Sequence, residues 1–307
     1  MERKRFDLKT DATFMLRRNE HLQRYIEPYS FENRTTYFDY KDVPVIKYKI
    51  FDDYDNLITG FSTRLGGVSK AHLSSLNLSF SRGDEEENVM ENHKRFAASC
   101  GYDYKRLVFS DQVHNTNIRV IKSEDDAGKG IVKESDIKEN DGLLTNLPDI
   151  PIMTFYADCV PIYFYDKEKK IIGLAHSGWK GTVKNIAKKM VQTMKEEYGS
   201  SESDIVCAIG PSICRKCYEV DDIVMDRIKE CFSDKEIEKI ADDKGEGKYQ
   251  LDLHLACRIN LLNAGILPEN IAMPDLCTSC NKNILYSHRA SRGMRGNLAA
   301  VMMLKEI

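Results

Sequence analysis

Apolar residues recur along this chain in two rhythms. Over residues 43–51 (VPVIKYKIF) they alternate as in a half-buried strand, and 58–62 reads the same way. Residues 87–100 change to a three- and four-residue rhythm through Val89, Met90, Phe96 and Ala97, which predicts a helix. Short apolar runs at 106–110, 117–122, 142–145, 151–156, 160–166 and 171–176 predict a series of strands. The clearest helix follows His176. There Val183, Ile186, Ala187, Met190, Val191 and Met194 share one face, and Gly199 supplies a C-terminal cap. A buried strand at 205–210, a helix starting near Asp221, an amphipathic helix at 251–264 and a strand at Leu298–Leu304 complete the pattern.

Between the periodic segments, residues 66–84 hold three glycines and five serines and predict a long loop. Residues 1–40 are charged and weakly periodic, with Arg17-Arg18-Asn19-Glu20 reading as a solvated helix or a strap. No internal repeat and no low-complexity linker divides the chain, so a single domain is expected.

Composition narrows the class. With 307 residues, 42% apolar and 30% charged, the chain has the make-up of a soluble globular protein with a substantial core. A net charge of −3 gives no reason to expect nucleic acid or an anionic membrane as partner. No apolar run approaches the roughly 20 residues that span a bilayer. The start, Met1-Glu2-Arg3-Lys4-Arg5-Phe6-Asp7, is basic but lacks an apolar stretch behind it, which argues against a standard secretory signal and for the cytoplasm. Nine scattered cysteines, an odd number, agree with that compartment rather than with a disulfide framework.

Three short stretches carry candidate metal chemistry: Asp111-Gln112-Val113-His114-Asn115, Ala157-Asp158-Cys159-Val160-Pro161 and Ala175-His176-Ser177-Gly178-Trp179-Lys180-Gly181-Thr182. Taken singly, each His or Cys is most often a buried polar residue. Together, His114, Cys159 and His176 offer three zinc ligands, and three protein ligands with one open position is how a catalytic zinc is held. The turn from Ser177 to Thr182 opens a helix, and its unpaired N–H groups suit an anion such as phosphate. A rival metal set exists in two C-x-x-C pairs, Cys214/Cys217 and Cys277/Cys280. Cys217 and Cys277 lie 60 residues apart (277 − 217), wider than the roughly 15–20 usual for such sites.

The same segments, in order, carry a resemblance. Phe61-Ser62-Thr63-Arg64-Leu65-Gly66-Gly67-Val68-Ser69, Ser75-Leu76-Asn77-Leu78, Gln112-Val113-His114, Ala157-Asp158-Cys159-Val160-Pro161, His176-Ser177-Gly178-Trp179-Lys180-Gly181, Gly210-Pro211-Ser212-Ile213, Cys217-Tyr218-Glu219-Val220, Leu276-Cys277-Thr278 and Ser287-His288-Arg289 resemble the laccase-domain family. That family is also called YfiH-like, multicopper polyphenol oxidase-like or purine nucleoside phosphorylase-like. The resemblance covers about residues 45–307 and leaves 1–44 as an N-terminal extension. It implies an α+β fold in one domain: a mixed β-sandwich with flanking helices, similar to the cytotoxic necrotizing factor catalytic domain.

It also implies zinc on His114, Cys159 and His176, in a cytoplasmic enzyme acting on purine nucleosides. The implied activities are phosphorolysis of adenosine, inosine, guanosine and methylthioadenosine, and deamination of adenosine. Asp158, Cys159 and His176 are then the catalytic candidates. Arg64, Gln112, Lys180, His288 and Arg289 are the candidates for binding nucleoside and phosphate. Arg64 is the expected counter-charge for phosphate, and His288 is expected beside the leaving purine.

Two other readings use the same residues. Cys159 with His176 has the make-up of a cysteine–histidine hydrolase or deamidase, linked to peptidoglycan. Copper also suits two histidines and a cysteine, in a polyphenol oxidase. Against a four-copper centre, the seven histidines (His21, His72, His93, His114, His176, His254 and His288) lack clustered spacing. The oligomeric state is not legible in the sequence.

Overall fold

The computed structural model describes residues 35–39 and 42–306, so Arg17-Arg18-Asn19-Glu20 lies outside the described residues. The chain begins with strands β1 (Thr36–Asp39), β2 (Val45–Tyr48) and β3 (Leu57–Ser62), then helix α1 (Glu86–Cys100). Six strands follow: β4 (Val108–Phe109), β5 (Ile118–Ile121), β6 (Gly142–Thr145), β7 (Ile152–Tyr156), β8 (Val160–Asp166) and β9 (Ile171–Ser177). Next come α2 (Trp179–Val183), α3 (Ile186–Tyr198), β10 (Ile205–Ile209), β11 (Glu219–Asp221), α4 (Asp222–Lys229) and α5 (Asp234–Ile240). The last elements are β12 (Ala241–Gly245), β13 (Lys248–Leu251), α6 (Leu253–Asn263), β14 (Ile271–Ala272), α7 (His288–Ser291) and β15 (Leu298–Leu304).

Several strands are apolar at nearly every position because both of their faces are buried. One six-stranded sheet runs β1-β2-β3-β15-β7-β4 and a second runs β14-β10-β8-β9-β6-β5. Both mix antiparallel pairs with parallel ones, the latter being β4 on β7, β5 on β6 and β10 on β14. Along β8, Tyr163 and Tyr165 meet Phe61, Tyr156, Ala300 and Met302 of the first sheet. Val160, Ile162 and Phe164 point the other way, against Ile186, Met190 and Met194 of α3 and Leu255 of α6. Strand β15 does the same for the first sheet: Leu298, Ala300 and Met302 face inward, while Ala299, Val301 and Met303 pack on Phe96 and Ala97 of α1. The fold is thus one mixed α/β domain of two sheets face to face with helices outside each. Among the described residues, no helix is long and apolar enough to cross a membrane.

Three departures from the sequence reading have local causes. The helix expected after His176 is two helices, because Asn185 adopts a left-handed conformation (φ 56°) and its side chain accepts from Lys188 N to cap α3. Gly199 caps the far end as expected. The small sheet β11-β13-β12 was not anticipated, since β12 (ADDKG) is polar, largely exposed and has no apolar alternation. The first sheet also starts ahead of residue 45: β1 pairs antiparallel with β2, and Thr35 Oγ1 donates to Met273 O over 2.6 Å.

The glycine- and serine-rich segment is an ordered strap. Ser69 N donates to Ser75 O, and Gly67 N donates to Ser75 Oγ. A Cβ on Gly67 would lie 2.1 Å from the Ser75 carbonyl oxygen and 2.5 Å from Leu76 Cα. Gly67→Ala is therefore expected to destabilise the protein by about 1–3 kcal/mol, since the backbone must move. Urea unfolding checks this; a midpoint equal to that of the parent would mean the strap does not pack as described.

Candidate metal centre

Asp141, immediately before β6, is fully buried, and its carboxylate gathers the pieces of the site. Three successive amides, Val113 N (3.1 Å), His114 N (3.0 Å) and Asn115 N (2.8 Å), donate to it. Such a run of N–H groups curls the chain around an anion, and His114 takes the left-handed conformation (φ 60°) within it. The same carboxylate accepts from His176 Nδ1 at 2.7 Å. His176 is the last residue but one of β9, opposite Pro161 on β8. With Nδ1 committed, its Nε2 is the atom left for a metal.

Cys159 comes from the turn between β7 and β8. The chain bends at Asp158 (φ 87°), with Pro161 inside β8. His114 Nε2 stands 3.9 Å from Cys159 Sγ, and the ligand atoms of His114, Cys159 and His176 all lie within 4.8 Å of one another. A tetrahedral zinc with two nitrogens and one sulfur has ligand–ligand edges of roughly 3.5 Å. The residues present therefore fit one metal ion after a small contraction. Gly178 packs against them: a Cβ there would come within 3.0 Å of both Cys159 Sγ and His114 Cδ2. A side chain at that position would push into the metal's place.

In the metal-free site the charges are mutually supporting. Burial alone would raise the Cys159 thiol, but His176's charge and hydrogen bonding from both histidines outweigh it and bring it down to about 6. Burial would lower His176, yet the Cys159 thiolate and Asp141 raise it to about 9. Burial likewise works against the ionised Asp141, and its bonds from His176 and the amides still hold it below its ordinary range.

The three ligands open onto a cleft of about 710 Å³. Its walls include Phe80, Phe109, Phe155, Tyr156, Trp179 and Tyr218, and Arg82, His288, Arg289 and Arg295 bring polar and charged groups to it. The expected site residues are distributed unevenly around it. Asp158, Gln112, His288 and Arg289 line the cleft. Both oxygens of Asp158 are engaged, accepting from Thr278 Oγ1 (2.6 Å) and Arg289 N (2.6 Å). The Gln112 amide is spent on the backbone of Phe155, through Nε2 to O (3.0 Å) and from N to Oε1 (2.6 Å). Arg289 donates to Cys217 O and Glu219 O.

Arg64 and Lys180 are not among the residues lining the cleft. Arg64 gives its donors to Ser74 O and Lys282 O and lies over the Tyr286 ring at 4.6 Å, beside a separate small cavity. Lys180 lies 5.7 Å from the Trp179 ring centre, and α2, of five residues, is too short to carry much of a dipole. The sequence reading missed Asp141, Arg82 and Arg295. A ligand histidine needs a partner for its second nitrogen, which called for a buried carboxylate but did not say which one. Arg82 and Arg295 each bury an Nε that has no hydrogen-bond partner among the described residues. Burial, then the charge of Arg82, lowers Arg295 to about 10, so it keeps its charge at neutral pH.

Residues 58–305 match the family described as multi-copper polyphenol oxidoreductase laccase. The chain belongs to that family. A relative named purine nucleoside phosphorylase YlmD, from Bacillus subtilis (strain 168), is 37% identical over 251 residues, 81% of this chain and 89% of its own length. A protein named adenosine deaminase RL5, from an unknown prokaryotic organism, is 33% identical over 76% of this chain and 88% of its own length. Among solved structures, the Bacillus licheniformis hypothetical protein YfiH superposes with a TM-score of 0.82 at 34% identity, covering 87% of this chain and 99% of that one. Among the described residues, no multi-copper ligand set matches the copper in the family's description. Among the described residues the convergent groups are His114/Cys159/His176 and a set of four cysteines, each the size of a one-metal site.

Two tests follow. In metal-free protein, alkylation of Cys159 should switch on as pH rises through about 6, where the thiolate forms, and His176→Gln should move that transition upward. A transition near the ordinary thiol range in the parent would remove the ion pair. Separately, Asp141→Asn should weaken metal binding by about 10- to 100-fold in chelator competition. Unchanged affinity would show that His114 and His176 are held without the carboxylate.

Proposed function

We propose that this chain is a zinc enzyme that phosphorolyses adenosine, inosine, guanosine and methylthioadenosine and also deaminates adenosine, acting in the cytoplasm through residues 45–307. The observation that carries the reading is the meeting of two imidazoles and a thiol at one point in a cleft with aromatic walls and arginines. The relatives' names supply the nucleoside class. Aromatic faces such as Phe109, Phe155 and Tyr218 suit a flat purine, and offset or edge-on ring contacts hold one with little loss of freedom.

His114, Cys159 and His176 would hold the zinc. When bound, it would supply Lewis acidity toward the purine or toward water in the cleft. Arg82 and Arg295, whose buried Nε atoms have no partner among the described residues, fit phosphate better than Arg64, whose donors are already spent. In phosphorolysis, a phosphate oxygen bonds to ribose C1′ while the C1′–N9 bond breaks. The electron pair leaves with the purine, which takes up the proton that hydrogen phosphate gives up. His288 is held below its ordinary range by burial and then by Arg295, so it can hydrogen-bond the leaving base as a neutral imidazole. In deamination, water adds at C6 and ammonia leaves. Asp158, with both oxygens engaged, fits a positioning role: it joins the Cys159 turn to Thr278 and to the amide of Arg289.

A second reading has one observation in its favour. The Cys159 thiol, lowered to about 6 beside His176, has the state of an activated nucleophile. That is the hydrolase or deamidase chemistry that a relationship to cytotoxic necrotizing factors would carry. A zinc-bound thiolate is a poor free nucleophile, so the two readings exclude each other at this sulfur.

Incubating zinc-loaded protein with adenosine, inosine or methylthioadenosine, with and without phosphate, separates them. Free base and the matching sugar 1-phosphate (ribose 1-phosphate, or 5-methylthioribose 1-phosphate from methylthioadenosine) should form only with phosphate, and inosine should form from adenosine in either buffer. Arg295→Ala should slow base release by the equivalent of about 1.5–3 kcal/mol, one charge-assisted contact, while sparing deamination. Base release at full rate in phosphate-free buffer would make water the nucleophile and end the phosphorylase reading.

A further inference from the structure

We propose a second metal site, structural rather than catalytic: a zinc ion held by the thiolates of Cys214, Cys217, Cys277 and Cys280. The four sulfurs converge to within 4.8 Å of one another although the two C-x-x-C pairs are far apart in sequence. A tetrahedron with zinc–sulfur bonds of about 2.3 Å has edges of roughly 3.8 Å. Cys217 Sγ and Cys280 Sγ stand 3.5 Å apart, close to that edge and well beyond the roughly 2 Å of a disulfide. Four sulfurs and no oxygen or nitrogen make a closed, soft donor set, which selects zinc over the hard cations and leaves no position for substrate.

The backbone is arranged for sulfur anions. Cys214 N (3.3 Å) and Cys280 N (3.4 Å) both donate to Cys277 Sγ. The second of these crosses its own C-x-x-C turn, folding the two cysteines of the pair toward one centre. Such N–H donors disperse the negative charge that four thiolates leave around a divalent ion. Arg289 adds a cation nearby, with Nη1 donating to Cys217 O over 3.3 Å. Cys214 and Cys277 are buried and the other two are half-buried, so the centre sits under the surface with an entry side.

The place of the cluster gives the ion its task. Two chain segments meet there, one running from β10 toward β11 and the other from β14 toward α7. Outside the sulfurs they are joined by Thr278 N donating to Ser212 O over 3.0 Å, within a lone bridge between Ser212 and Cys277. Both segments also hold the turn that presents Cys159. Ile213 N donates to Asp158 O, and Thr278 Oγ1 donates to Asp158 Oδ1. The tetrathiolate zinc is therefore a clip behind the catalytic turn. It replaces long-range packing between two irregular segments by four metal–sulfur bonds, with the thiol protons released to solvent as the ion binds.

Metal analysis tests this independently of any activity. Full-length protein purified from zinc-supplemented cells should carry about two zinc ions per chain, one in each cluster. Cys280→Ser and Cys217→Ser should each retain one, as should His176→Ala, which removes a ligand from the other site. Because loss of the clip can unfold a cysteine variant, the intact cluster is also read directly. The His176→Ala chain, loaded with cobalt(II), should show the strong sulfur-to-cobalt charge-transfer and tetrahedral ligand-field bands of a four-thiolate site. A parent chain with a single zinc that His176→Ala abolishes would overturn the proposal. So would a Cys217–Cys280 disulfide in non-reducing mass spectrometry, or iron in place of zinc.

Discussion

One buried carboxylate holds this site together. Asp141 sits between the loop that carries His114 and the strand that carries His176, and bonds to both. Burying an ionised group is costly unless its oxygens are satisfied, and here three amides and an imidazole satisfy them. The same bonds that stabilise the charge also set the geometry. They curl residues 113–115 so that His114 faces the centre, and they fix the His176 ring with Nε2 directed away from Asp141. A carboxylate with fewer partners would be neutral or mobile, and either would loosen both ligands together.

The sandwich explains how such a group can be placed at all. β8 and β9 are buried on both faces, so their ends are rigid, and Cys159 in the turn just ahead of β8 and His176 on β9 are delivered in fixed register. Strands β4 and β7 bring Phe109, Phe155 and Tyr156, the segment after β3 brings Phe80 and Arg82, and the last segment before β15 brings His288, Arg289 and Arg295. Asp158 then joins that last segment to the ligand turn. Cys159 and His176 come from the ends of the stiff layer, His114 from a loop bound to it through Asp141, and cleft-facing charge from the straps around it.

Much of this was legible in the residues, and the failures have physical reasons. Strands and helices with a buried face announced themselves by period: β6 and β8 lie where the apolar runs put them, and α3 ends at Gly199. The β11-β13-β12 sheet did not, because an exposed polar strand has no face to advertise. The three candidate ligands stand together as their chemistry required. Arg64 and Lys180 stand elsewhere, because a cationic side chain in a motif can as readily hold carbonyls or cover an aromatic ring as bind an anion. Asp141 went unnoticed since one acid among several before a strand looks like any surface turn. The cysteine pairs were judged on sequence spacing, a rule for compact ribbons that does not limit two loops brought together by a sandwich.

The proposed chemistry requires a metal at His114, Cys159 and His176 facing the aromatic cleft. Crystals of the protein grown with a non-hydrolysable adenosine analogue and measured on both sides of the zinc absorption edge address this directly. The account predicts an anomalous peak about 2.0–2.1 Å from one nitrogen of each histidine and about 2.3 Å from Cys159 Sγ, with the purine in the cleft beside its open position. An empty triad with the analogue bound elsewhere, or a Cys159 carrying a covalent adduct in place of metal, would contradict it.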